Sequence, residues 1–134
     1  MGDSRYNTSA GCVFSLKYHL VWCPKYRLNV LRGDVADRLK ELLDEKAEEN
    51  KIVIEALEIM PDHVHLFVST DPTEAPQRIA NQFKGYTSRI LRQEFAHLRS
   101  CMPTLWSRSY YIGSVGQVSE ETVKKYIKAQ ATRS

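Results

Sequence analysis

The sequence predicts an α+β domain in which a four-stranded antiparallel sheet carries helices on one face. Three observations predict it. The hydrophobic period switches between 2 and 3.6 along the chain. A Met60-Pro61-Asp62 turn joins two β-branched runs at hairpin spacing. The length of 134 residues, 43% of them hydrophobic, suffices for one core and calls for no second. We therefore expect a single domain over residues 1–134.

Residues 1–10 are polar and patternless, which predicts a loose tail. Residues 12–22 alternate, with Phe14, Leu16, Tyr18, Leu20 and Trp22 on one face and Lys17, His19 and Val21 on the other, a half-buried first strand ended by Pro24. His19 sits on the more polar face, either as a surface or hydrogen-bonded histidine or within approach of the later pair His63 and His65. From Asp34 to about Asn50 the apolar positions Val35, Leu39, Leu42, Leu43 and Ala47 follow helical spacing beneath an acidic face. Residues 52–59 and 63–68 form the hairpin strands. A second helix opens with Pro76 in its first turn and turns Ile79, Phe83, Tyr86, Ile90, Leu91 and Phe95 inward. An aromatic-rich fourth strand follows Pro103. Ser119 caps a last helix over 119–131, with Glu120 and Glu121 at its positive end. The first six elements run β-α-β-β-α-β, the split βαβ, ferredoxin-like order.

The formal net charge of +3 conceals an asymmetry: residues 1–76 carry 9 Lys and Arg against 13 Asp and Glu, residues 77–134 carry 10 against 3. The basic half is the expected surface for a polyanion. Cys12, Cys23 and Cys101 are odd in number and make no C-x-x-C pair, which argues against a disulfide framework or a zinc cage. No apolar run is long enough to span a bilayer and the first residues lack a signal-peptide pattern, so we expect a cytoplasmic protein that does not engage membranes.

The stretch most suggestive of chemistry is Met60-Pro61-Asp62-His63-Val64-His65-Leu66. In a strand His63 and His65 share a face, about 7 Å apart, and two such imidazoles can converge on one divalent ion. Tyr126 and Gln130, four apart on the last helix, share a face as well, so one can serve as nucleophile and the other as ligand at one site. An amphipathic packing stripe would place Tyr126 in the same way.

This histidine string resembles the motif of HUH nucleases, in which U is a hydrophobic residue. It is most similar to that of the single-tyrosine, TnpA-like transposases of the smallest insertion sequences. Supporting matches are Val21-Trp22-Cys23-Pro24-Lys25-Tyr26-Arg27, Lys84-Gly85-Tyr86-Thr87-Ser88-Arg89, the stretch from Leu105-Trp106 to Gly116, and the tyrosine helix with its glutamine. The resemblance implies metal ligands at His63, His65 and Gln130 and a nucleophile at Tyr126. It further implies magnesium or manganese as cofactor, single-stranded DNA hairpins at insertion-sequence ends as substrate, a covalent 5′-phosphotyrosine intermediate, and a homodimer whose active sites are shared between subunits. Two imidazoles and an amide oxygen do not select zinc strongly, which suits either cation. Arg78, Lys84, Arg89 and Arg92 on the second helix and Lys125 beside the tyrosine are the expected DNA contacts. Tyr110, Tyr111 and Trp106 are candidates for stacking on unpaired bases or for the core. Two rival readings share the fold: a non-catalytic single-strand binding module, and a chromosomally adopted HUH endonuclease acting on repeated palindromes.

Overall fold

The computed structural model describes residues 7–9, 12–14, 16–71 and 74–115. Its main sheet has four strands, β3 (Leu16–Pro24), β4 (Val53–Met60), β5 (His63–Thr70) and β6 (Trp106–Ser114), in the order β4-β5-β3-β6 with every pair antiparallel. Helix α1 (Gly33–Glu49) links β3 to β4, and α2 (Pro76–Glu94) links β5 towards β6. The two outer strands are thus those reached by helical connections, and the hairpin partners β4 and β5 pair directly, as the split βαβ order requires.

Three local expectations are corrected. The alternating run 12–22 is not one strand. Its first part is β2 (Cys12–Phe14), paired with β1 (Asn7–Ser9) in a separate two-stranded ribbon, and only the later part joins the main sheet. The tail over residues 1–10 accordingly contains a strand at 7–9. A short helix α3 (Ala96–Ser100) follows α2, unforeseen because five residues are too few for a periodic signal. The expected helix over 119–131 lies outside the described residues.

Both helices pack on one face. Tyr18, Leu20 and Trp22 of β3 and Val64, Leu66 and Val68 of β5 meet Leu39, Leu42 and Leu43 of α1 and Ile79, Phe83 and Leu91 of α2 in one cluster. Those residues recur every second position on the strands and at helical intervals on the helices, Leu39 three and four before Leu42 and Leu43, Phe83 four after Ile79 and eight before Leu91, so a single buried face satisfies both periods. Trp22 meets Trp106 edge to face with ring centroids 5.8 Å apart. The buried indole Nε1–H of Trp106 donates to Thr87 Oγ1 at 3.0 Å, and Thr87 Oγ1 donates in turn to the Phe83 carbonyl at 2.7 Å. That chain satisfies the polar end of a core tryptophan, which would otherwise oppose its burial.

Candidate metal centre

The alternation that sends Val64, Leu66 and Val68 to the helices sends His63, His65, Phe67 and Ser69 to the other face of β5. In the paired register Val21 of β3 and Glu58 of β4 lie opposite His65, and His19 lies opposite Phe67. His19 is therefore a diagonal neighbour of His65, and its Nε2 comes within 3.2 Å of His65 Nδ1. These two rings stack with centroids 5.4 Å apart, and the His63 ring stands 4.9 Å from that of His65 at 80°. On the opposite flank His63 Nδ1 donates to Asp62 Oδ1 over 2.7 Å, while Asp62 Oδ2 accepts from Arg27 Nη2 over 3.1 Å. Arg27 reaches Asp62 from the turn after β3, where Tyr26 and Arg27 both adopt positive φ, 62° and 51°. Non-glycine residues are uncommon there, and such backbone is typical of segments that the surroundings hold in place.

With Nδ1 of His63 donating to a carboxylate, that ring would take a metal through Nε2. Metal-ligating histidines characteristically use their second nitrogen this way, so the pair suits a divalent ion. Burial, and after it the neighbouring His63 and His19, lowers the His65 pKa to about 4. Burial lowers that of His19 also. Both rings are thus neutral near pH 7, and neutral imidazole is the ligating form. Burial opposes ionisation of Asp62, but the bond to His63 and the charge of Arg27 outweigh it and hold the carboxyl below its usual range. Across from His65, burial raises the Glu58 pKa, with His63 acting in the other direction. Among the described residues no three His, Cys, Asp or Glu groups are disposed to hold a metal, so the histidine pair would need a further ligand from elsewhere.

A cleft of about 280 Å³ opens beside His63, with Val21, Cys23, Arg27, Ser109 and Tyr111 among its lining. Tyr111, 58% exposed, touches His19 edge-on with centroids 6.0 Å apart. Its ring lies over Gly113, where any side chain would collide with it. Farther along the same face Lys17 Nζ donates to Ser69 Oγ at 2.9 Å, and Ser69 Oγ donates to Glu55 at 2.8 Å.

Of the aromatics considered for stacking, Trp106 belongs to the core and Tyr110 packs against it beneath the Lys84 ammonium, 4.8 Å from its ring. Tyr111 alone of the three stands on the histidine face. Lys84 Nζ donates to the carbonyls of Ser107 and Arg108, and Arg92 Nη1 to those of Leu98 and Met102. Those two cations tie loops to α2, and burial lowers the Lys84 pKa. Arg89 and Arg78 are exposed, Arg78 lying 3.9 Å from Glu74 and Arg89 stacking on Tyr86. Tyr126, Gln130 and Lys125 lie outside the described residues.

Sequence reasoning missed the pair behind His63: Asp62 reads as a turn residue and Arg27 as part of a basic connection. It allowed His19 to approach the histidine pair, and the structure brings it to His65. The signal for His19 was its parity with Lys17 and Val21, but parity says nothing of register.

The sequence matches the family described as Transposase IS200 like over residues 12–130. The chain belongs to that family. It is 38% identical to the ISDra2 transposase TnpA of Deinococcus radiodurans over 122 residues, 90% of this chain and 87% of that protein. It is 28% identical over 132 residues to the transposase for insertion sequence element IS200 of Salmonella typhimurium, 97% of this chain and 85% of that one. Among solved structures, a candidate transposase from Deinococcus radiodurans superimposes with a TM-score of 0.76 at 35% identity, covering 92% of this chain and 97% of the other. A REP-associated tyrosine transposase bound to a REP hairpin shares the fold, with a TM-score of 0.64 at 12% identity over 88% of this chain and 67% of that one. The expected fold class is thus shown for this IS200-like transposase, as is the family that the histidine motif suggested. None of its described helices is long and apolar enough to cross a membrane.

Proposed function

We propose that this IS200-like transposase cleaves and rejoins single-stranded DNA at insertion-sequence ends through a covalent tyrosine, with a divalent ion at His63 and His65. The observation that carries the reading is the convergence of His63 and His65 on one face of β5, their ring centroids 4.9 Å apart, with the Asp62 carboxylate taking the Nδ1 proton of His63. Gln130 would complete the protein ligands. Magnesium or manganese held there would supply positive charge to a non-bridging phosphate oxygen, where negative charge grows during displacement.

The phenol of Tyr126 attacks the phosphorus and loses its proton as the P–O3′ bond breaks. A 3′-hydroxyl leaves and the 5′-phosphate stays on the tyrosine. A free DNA hydroxyl then attacks the phosphotyrosine, restoring the phenol and a phosphodiester without an external energy source. Arg78 and Arg89, with Lys84, Arg92 and Lys125 contributing positive potential, would follow the DNA backbone. The cleft at His63, flanked by Arg27 and Tyr111, would receive the nucleotide next to the scissile phosphate. The substrate would be a DNA hairpin met in the cytoplasm. The working unit would be a homodimer in which the tyrosine helix of one subunit serves the histidine pair of the other, the whole of residues 1–134 forming one domain.

Labelled single-stranded hairpin DNA incubated with protein and manganese should yield an adduct that survives denaturant, and Tyr126→Phe should abolish it while hairpin binding persists. An adduct from the Tyr126→Phe protein would remove that residue from its role. Mixed dimers of Tyr126→Phe subunits with His63→Ala/His65→Ala subunits should regain cleavage. Heterodimers that form and stay inactive would show that each site is built within one chain.

A further inference from the structure

His19 approaches His65 from outside the motif, Nε2 to Nδ1 at 3.2 Å, yet the described residues do not arrange it as a third ligand. We propose that His19 is a positioning residue that holds His65 in the tautomer whose Nε2 carries the lone pair. The inference rests on the metal reading above.

A neutral imidazole has one N–H and one lone pair, so in the 3.2 Å contact one ring donates and the other accepts. If His19 donated, His65 would keep its proton on Nε2 and have no electron pair there for a metal. If His65 donates from Nδ1, its Nε2 is the ligating atom and His19 carries its own proton on Nδ1. Asp62 imposes the corresponding choice on His63 with less ambiguity, because a carboxylate only accepts. The two arms differ in setting. Asp62 is partly exposed and shared with Arg27, whereas His19 is on a central strand, opposite Phe67 and edge-on to Tyr111. An unpaired carboxylate in that half-buried position would be costly, and an imidazole provides the acceptor without the charge. The 17° stack of His19 on His65 also restricts rotation of the ligand ring.

The test compares His19→Phe, which keeps a ring but removes the acceptor, with His19→Gln, whose side-chain oxygen can accept in place of Nε2. Manganese affinity, read as free ion by electron paramagnetic resonance, should weaken about 10–100-fold in His19→Phe and stay within about threefold of wild type in His19→Gln. Nitrogen NMR of the metal-free wild type should show the His65 proton on Nδ1. Wild-type manganese affinity in His19→Phe, equal losses in both variants, or an Nε2 proton on His65 would each overturn the proposal. The NMR result decides if His19→Phe fails to fold. A His63→Ala/His65→Ala protein that binds manganese like wild type would instead overturn the metal reading, while loss of binding there with retention in His19→Phe would sink only the role of His19.

Discussion

The two faces of the main sheet are made by the same strands and obey different rules. On the helix side, residues such as Leu20, Val64, Leu66 and Phe83 are fully buried, and the bonds that matter there serve mainly to satisfy polar ends, as Thr87 does for Trp106. On the other side His19, His65, Ser69, Lys17 and Glu55 are also largely shielded, but each is held by a specific partner or contact. Apolar packing is non-directional and tolerates many solutions, whereas hydrogen bonds set atoms to within tenths of an ångström. The first face therefore makes the fold, and the second holds polar groups in fixed positions on it.

That division is open to direct attack. The largest expected effect is functional: His63→Ala or His65→Ala should reduce hairpin cleavage at least about 10³-fold while unfolding free energy changes by about 1 kcal/mol or less, measured by denaturant titration. Equal losses of stability and activity would mean that the histidine face also supports the fold. Phe83→Ala on the helix face should do the reverse and lower stability by about 3–5 kcal/mol. Its residual folded fraction should cleave at the wild-type rate, checked by normalising activity to the folded population.

A smaller effect is expected from acid on the metal-free protein. The folded pKa of His65, about 4, lies below its unfolded value near 6.5, so the unfolded chain binds more protons between those limits. Stability is then complete above about pH 6.5 and falls as pH drops towards 4, by roughly 1–3 kcal/mol, with the burial of His19 acting in the same direction. His65→Ala should flatten this slope in urea titrations across the range. The smallest effect concerns the exposed cations: Arg89→Ala should weaken hairpin binding only severalfold and reduce the salt slope of log affinity by about 1. A loss confined to cleavage would assign Arg89 to the scissile region instead of the backbone track.

Much of the fold was legible because burial imposes a period. Leu39, Leu42 and Leu43 announce a helix, and the Met60-Pro61-Asp62 turn between two β-branched runs announces a hairpin, whatever surrounds them. The division of residues 12–22 between two sheets was not legible, since Phe14 and Leu16 fit the alternation equally well on either side of the break. The shared face of His63 and His65 could be read because both come from one strand, where spacing alone sets it.

What the sequence determined by itself are the relations carried by chain-local geometry: which residues of β5 share a face, which stripe of α2 is apolar, and the order of elements that leads to the split βαβ arrangement. Tertiary structure alone decided that His19, 46 positions away in sequence, meets His65 Nδ1. It also decided that Arg27 closes on Asp62, that Lys84 and Arg92 spend their charges on carbonyls, and that Tyr111 rather than Trp106 stands on the histidine face. Those outcomes depend on strand register and on where loops return. Shifting a neighbouring strand by one residue would turn all of its side chains to the opposite face, and the composition of either strand would not record the change.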